Sequence, residues 1–197
     1  HTALPLFSRG LMVVTDECTK DDGIDWPKLG WVFDIREEKN PVPIATLPLP
    51  SAEVFTKRGG RFGAHNLYEN YPGDCSWRSD NIVLATFFNG GVRVYDLANQ
   101  YQPREVAYFV PGAPALSPKG AVQINDVYVD DRQLVYIGDR FTGGLYILDG
   151  KRLVGGLQFL PPGDIPLFPR KIFQQPPEPP PAPQEPRRRA AGRKKAA

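Results

Sequence analysis

The chain has 197 residues, 41% of them hydrophobic and 11% aromatic, which is enough to bury one good core or several repeat units. Its 22 prolines and 19 glycines favour short strands joined by turns over long helices. It has no apolar run of the about eighteen residues that a membrane-spanning helix needs. The net charge of +2 hides an asymmetry: subtracting the six basic and two acidic residues of 175–197 from totals of 24 and 22 leaves 18 basic and 20 acidic residues in 1–174. The part expected to fold is therefore mildly acidic and offers no basic face for specific nucleic-acid binding.

The first unit spans 1–50. His1-Thr2-Ala3-Leu4 opens it, Leu11–Thr15 is an apolar strand, and Asp16 to Leu29 is a long polar connection. Gly30–Ile35 is the next strand, carrying Asp34, and Asn40-Pro41 breaks the chain before a fourth short strand, Val42–Leu47. Residues 51–62, with Lys57-Arg58-Gly59-Gly60-Arg61, read as a surface connection.

The second unit, 63–114, repeats these features. His65-Asn66-Leu67-Tyr68 stands where His1-Thr2-Ala3-Leu4 stood, and Ile82–Phe88 is the apolar strand. Asn89-Gly90-Gly91 reads as a tight hairpin turn with positive φ at its central residues. Val92–Leu97 follows and carries Asp96; a proline comes seven residues later, as it does after Asp34. After a loop over 111–120, a third unit occupies 121–153. Here Asn125-Asp126-Val127-Tyr128 takes the His-Asn-Leu-Tyr position, Leu134–Gly138 is the apolar strand, and Thr142-Gly143-Gly144 turns into Leu145–Asp149. The marker aspartates lie 62 and 53 residues apart. Such self-similarity predicts an all-β fold of about three four-stranded repeats of β-propeller type. Residues 154–174 read as an extended segment packing on the last unit. The Pro-rich and then Arg/Lys-rich 175–197 reads as a disordered basic tail, able to touch anionic surfaces only weakly.

The motifs His65-Asn-Leu-Tyr-Glu-Asn70, Phe88-Asn-Gly-Gly-Val-Arg-Val-Tyr-Asp96 and Asn125-Asp-Val-Tyr-Val-Asp130 with Asp139-Arg-Phe-Thr-Gly-Gly-Leu-Tyr-Ile-Leu148 resemble the bacterial LVIVD-repeat proteins, which are β-propeller-like. The likeness covers roughly residues 1–150. A more distant resemblance runs to selenium-binding proteins, propellers that are thought to hold a metal on histidines in the central channel. That resemblance implies a channel-facing role for His1 and His65, with Asn125-Asp126 where a third histidine would stand. Three blades do not close a ring, so the chain is expected to be the C-terminal part of a longer propeller. No signal peptide is present, and with His1 in place of an initiator Met the compartment, cytoplasmic or exported, stays open.

His1 and His65 are the only two histidines, and they share one repeat position. With Glu69 and Asp126 they form the candidate ligand set for a divalent metal, for which Zn, Cu or Fe suit imidazole plus carboxylate. Asn66, Asn125, Asp139 and Arg140 are the candidate ligand-binding residues. Asp16, Glu17, Asp139 and Arg140 follow the second strand of their units, where the blade loops meet. Asp34, Asp96 and Asp149 are expected to cap the turns after their strands. Cys18 and Cys75 form no CxxC pattern and indicate neither a zinc site nor a disulfide framework. A Gly-x-Ser-x-Gly elbow and a phosphate loop are both missing, so nucleophilic catalysis and nucleotide binding find no motif. The leading functional reading is a non-catalytic module that binds a protein or small ligand through its loops, with Tyr71, Trp77 and Phe141 as candidate apolar contacts. The competing reading is a metal-dependent oxidoreductase of the selenium-binding type.

Overall fold

The computed structural model describes residues 1–150. The expectations for 154–174 and for 175–197 lie outside the described residues, as do the last residues of the third unit. Ten strands form three antiparallel sheets. The first sheet is the meander of β1 (Ala3–Leu6), β2 (Leu11–Thr15), β3 (Gly30–Asp34) and β4 (Val42–Thr46). The second holds β5 (Ile82–Thr86), β6 (Val92–Asp96) and β7 (Arg104–Phe109). The third holds β8 (Ile124–Val129), β9 (Leu134–Asp139) and β10 (Leu145–Asp149). A short extension before β5 completes the second sheet on its inner side: Leu67 bridges Ala85, and the His65 and Tyr68 amides donate to the Thr86 and Leu84 carbonyls, both at 3.0 Å.

Alternation of side chains along each strand explains how the sheets stack. Along the middle sheet, Val83, Ala85, Phe87, Tyr95 and Leu97 meet Leu4, Leu6, Leu11, Val13 and Val32 of the first sheet. Leu84, Val92 and Val94 point the other way and meet Ile124, Val129, Val135 and Ile137 of the third. The middle sheet is therefore covered on both faces, which is why β5 is buried almost throughout while burial alternates along β2. The outer face of the third sheet carries Leu145, which is 64% exposed, and Ile147.

Strand register makes the repeats equivalent residue by residue. The hairpin-proximal pairs are Thr15 with Gly30, Thr86 with Val92 and Gly138 with Leu145. Opposite Thr15 lies Thr2, whose carbonyl accepts the Thr15 amide (3.0 Å); opposite Thr86 lies Asn66 (2.8 Å), and opposite Gly138 lies Asp126. His1, His65 and Asn125 precede these residues and share one position. Each threonine also locks its unit to the next. The Thr15 hydroxyl accepts from the Thr2 amide (3.2 Å) and donates to the His65 carbonyl. The Thr86 hydroxyl accepts from the Asn66 amide (3.1 Å) and donates to the Asn125 carbonyl (2.9 Å). At Gly138 this lock is missing, and a Cβ added there would meet no described atom within 4 Å.

Two local expectations are corrected. Segment 51–62 is more than a surface connection: it forms helix α1 (Ala52–Phe55) capped by the Ser51 hydroxyl, and it buries Phe55 and Phe62 in the core beside Trp26. Burying two phenylalanines contributes about 3–6 kcal/mol, which outweighs the polar sequence around them. The chain turns at Asn89-Gly90-Gly91 as expected, but the positive φ does not fall on the turn's central residues. The turn runs over 87–91, with positive φ at Phe88 (49°) and Gly91 (76°). Asn89 is pulled into the interior, where its amide donates to the Phe55 and Gly59 carbonyls at 2.9 Å each. A Cβ on Gly91 would lie 2.1 Å from the Phe109 carbonyl oxygen, so only glycine fits.

Candidate metal centre

Equivalent positions on successive inner strands bring the two histidines together. Their rings stack 4.2 Å apart between centroids and 20° from parallel, and His65 also packs on Phe88 at 4.5 Å. A carboxylate spans them. Glu17 lies two residues beyond β2, with Oε2 3.3 Å from His1 Nδ1 and Oε1 3.7 Å from His65 Nε2. One ligand atom from each residue lies within 4.8 Å of the other two, and this is the single such trio of metal-ligating side chains among the described residues. A tetrahedral ion with bonds of about 2.1 Å places its ligands about 3.4 Å apart. The two Glu17 contacts lie within a few tenths of an ångström of that length but end on different carboxylate oxygens, so a cation shared by all three residues needs the imidazoles to close on one oxygen or the carboxylate to bind through both.

The surroundings prepare His65 for ligation. Its Nδ1–H donates to the Asn125 carbonyl (2.9 Å), which accepts only, so the proton sits on Nδ1 and the Nε2 lone pair faces Glu17. His65 is 5% exposed. Burial holds its pKa below the usual 6.5, opposed by the Asn125 carbonyl and by the carboxylates of Glu17 and Asp126, and helped by Arg140. The imidazole is therefore neutral at pH 7, the form that binds metals. Arg61 supplies the balancing charge, with Nη1 3.3 Å from Glu17 Oε1.

The remaining candidates have other surroundings. Glu69 is exposed and stands apart from the trio. Asp126 is also outside it: one carboxylate oxygen accepts from the Asn66 amide and the other from the Asn125 amide (2.8 Å). Asn66 in turn accepts from the Thr2 hydroxyl (3.1 Å), so Thr2, Asn66 and Asp126 form a hydrogen-bonded chain across all three units. Asp139 anchors its hairpin by accepting the Gln123, Phe141 and Gly143 amides at 2.5, 3.1 and 2.7 Å, and forms no ion pair with Arg140. Arg140 lies over Phe88 and Phe141, 5.8 Å from each ring centroid.

Asp34 and Asp96 cap as expected, accepting the Arg36 amide (3.0 Å) and the Ala98 amide (2.8 Å). Of the candidate apolar contacts, Tyr71 and Phe141 are 61% and 44% exposed, but Trp77 packs on Tyr68. Both cysteines are free; Cys18 is buried and Cys75 exposed. Glu17 is the member of the trio that pattern reading did not assign to a metal. Its one sequence signal is its place just after the second strand, where loops of neighbouring units meet. Among the described residues no helix is long and apolar enough to cross a membrane. No protein-family model, curated protein or solved structure matches the chain.

Proposed function

We propose that this chain is a β-propeller-type module of the kind its LVIVD-like motifs imply, and that it binds a divalent metal, and a ligand beside it, where its units meet. The observation that carries this reading is the bridging of His1 and His65 by Glu17, with the His65 tautomer fixed by Asn125. Two imidazoles and a carboxylate match the preferences of Zn, Fe and Cu. This chain's own residues hold the site: Asn125 orients His65, Phe88 and His1 cover its ring, and Arg61 keeps Glu17 in place.

Three protein ligands leave coordination positions open, as in catalytic zinc sites and unlike closed structural ones. That feature favours, as a second reading, a metal-dependent enzyme resembling the selenium-binding type over a purely structural ion. Elemental analysis of the full chain and of His65→Ala, each dialysed against equimolar Zn, Cu and Fe salts, tests the site. Near-stoichiometric metal in the first and about a tenfold lower content in the second is the expected result. Absence of metal from both would overturn the proposal and leave His65 as a residue that registers the repeats.

A further inference from the structure

Beside the trio lies a cavity of about 280 Å³ walled by the first unit, the third unit and the connections before the second and third. Lys20 comes from the loop after β2, Arg61 from the connection between the first two units, Lys119 from the loop before the third unit, and Gln123, Arg140 and Phe141 from the third unit. Four cationic side chains face one small space, against one acidic lining residue, Asp21. Asp21 is already taken by Lys119, at 2.6 Å between Nζ and Oδ2. Arg61 is shared with Glu17, while Lys20 and Arg140 form no ion pair among the described residues.

The walls are fixed. Gln123 is 1% exposed; its Oε1 accepts the Arg61 amide (2.8 Å) and its Nε2 donates to the Val122 carbonyl (2.8 Å). The Arg140 amide donates to the Gln123 carbonyl (3.0 Å), so both arginines are referred to one buried residue. Phe88 connects this cavity to the metal trio. Its ring packs on His65 and carries the Arg61 and Arg140 guanidinium carbons 5.6 and 5.8 Å from its centroid.

We infer that this cavity is a binding site for a small oxyanion, a carboxylate or phosphate group held between the Arg61 and Arg140 guanidiniums with Lys20 beside them. Excess positive charge in a mildly acidic folded part selects an anion by attraction, and the planar guanidinium forks fit carboxylate and phosphate oxygens. The volume lies at the small end of ligand cavities, so the site suits a compact anion or the anionic end of a small molecule. Phe141 offers an apolar edge for the remainder. The inference deepens the metal reading and rests on it for the purpose of the anion, which is to hold a ligand next to the ion; anion binding itself needs no metal.

The test is calorimetric titration of inorganic phosphate and of succinate into the full chain, freed of metal on a chelating resin, at low ionic strength. Wild type, Arg140→Gln, Lys20→Gln and, as a control far from the cavity, Arg36→Gln are compared. At least one probe is expected to bind wild type with a Kd below about 1 mM. Arg140→Gln is expected to weaken it tenfold or more and Lys20→Gln by several-fold, with Arg36→Gln unchanged. Preference for phosphate or for succinate identifies the anionic group. No heat from either probe up to about 10 mM, or equal affinity in Arg140→Gln, would overturn the inference. Metal uptake is read separately by elemental analysis, so anion binding without metal uptake would sink only the metal reading.

Discussion

Thr86→Val isolates the lock between the second and third units. Thr86 is fully buried, and valine matches its volume, so the change removes a hydroxyl without opening a cavity. Three hydrogen bonds are lost, and the longest, to the Asn66 carbonyl (3.3 Å), matters least because that carbonyl keeps the Thr86 amide (2.8 Å). The Asn125 carbonyl keeps other donors, His65 Nδ1–H at 2.9 Å and the Asn66 amide at 3.1 Å, so its loss is small. The Asn66 backbone N–H loses the Thr86 hydroxyl, its acceptor at 3.1 Å. Leaving a buried donor unpaired costs about 1–3 kcal/mol. With a urea dependence of about 2 kcal/mol per M, the unfolding midpoint should fall by about 0.5–1.5 M. Thr15→Val should cost at least as much, because the His65 carbonyl there loses the donor that the Thr15 hydroxyl provides. Thr46→Val, at an exposed end of β4, is the control and should stay within about 0.5 kcal/mol. A Thr86→Val midpoint within about 0.2 M of wild type would refute the idea that this hydroxyl joins the units.

Other outcomes follow from the same structure. Burial, reinforced by Asp25, pushes the Cys18 thiol up to about 11 while Cys75 is exposed, so a thiol reagent at pH 8 should label one cysteine of two in the folded chain and both in denaturant. Gly91→Ala should destabilise by about 2 kcal/mol or more in urea denaturation, because both φ and the Phe109 carbonyl oppose a Cβ. Side-chain and backbone hydrogen bonds from Arg36 hold the Asp34 carboxyl down at about 2, and the Ala98 amide with Arg104 holds Asp96 below 3.8. Since both folded-state values are depressed, their contribution is complete above about pH 4 and is lost as the pH falls towards 2. Carboxyl-carbon NMR titration should place both below 3.8, and Asp96→Asn should flatten the loss of stability over that acid range.

Strand positions and repeat register were legible in the sequence because both depend on local rules. Apolar runs mark β2 and β5, and glycine, asparagine and proline mark the connections. The equivalence of His1, His65 and Asn125 followed from counting along those strands. Side chains acting over long range were not legible. Phe55 and Phe62 sit in a stretch whose lysines, arginines and glycines resemble a surface loop, and only the groove against Trp26 and the middle sheet gives them somewhere to be buried. Asn89 is a turn residue as expected, but its side chain points inward to the carbonyls of Phe55 and Gly59, and the positive φ falls on Phe88 and Gly91. Likewise, nothing near Glu17 in the chain announces two histidines, one of them 48 residues away. The sequence by itself determined which residues form strands and which positions repeat, since period and turn chemistry act over a few residues. How one sheet stacks on the next was decided only in three dimensions, and that stacking brings Glu17 between His1 and His65 and gathers Lys20, Arg61 and Arg140 around one cavity.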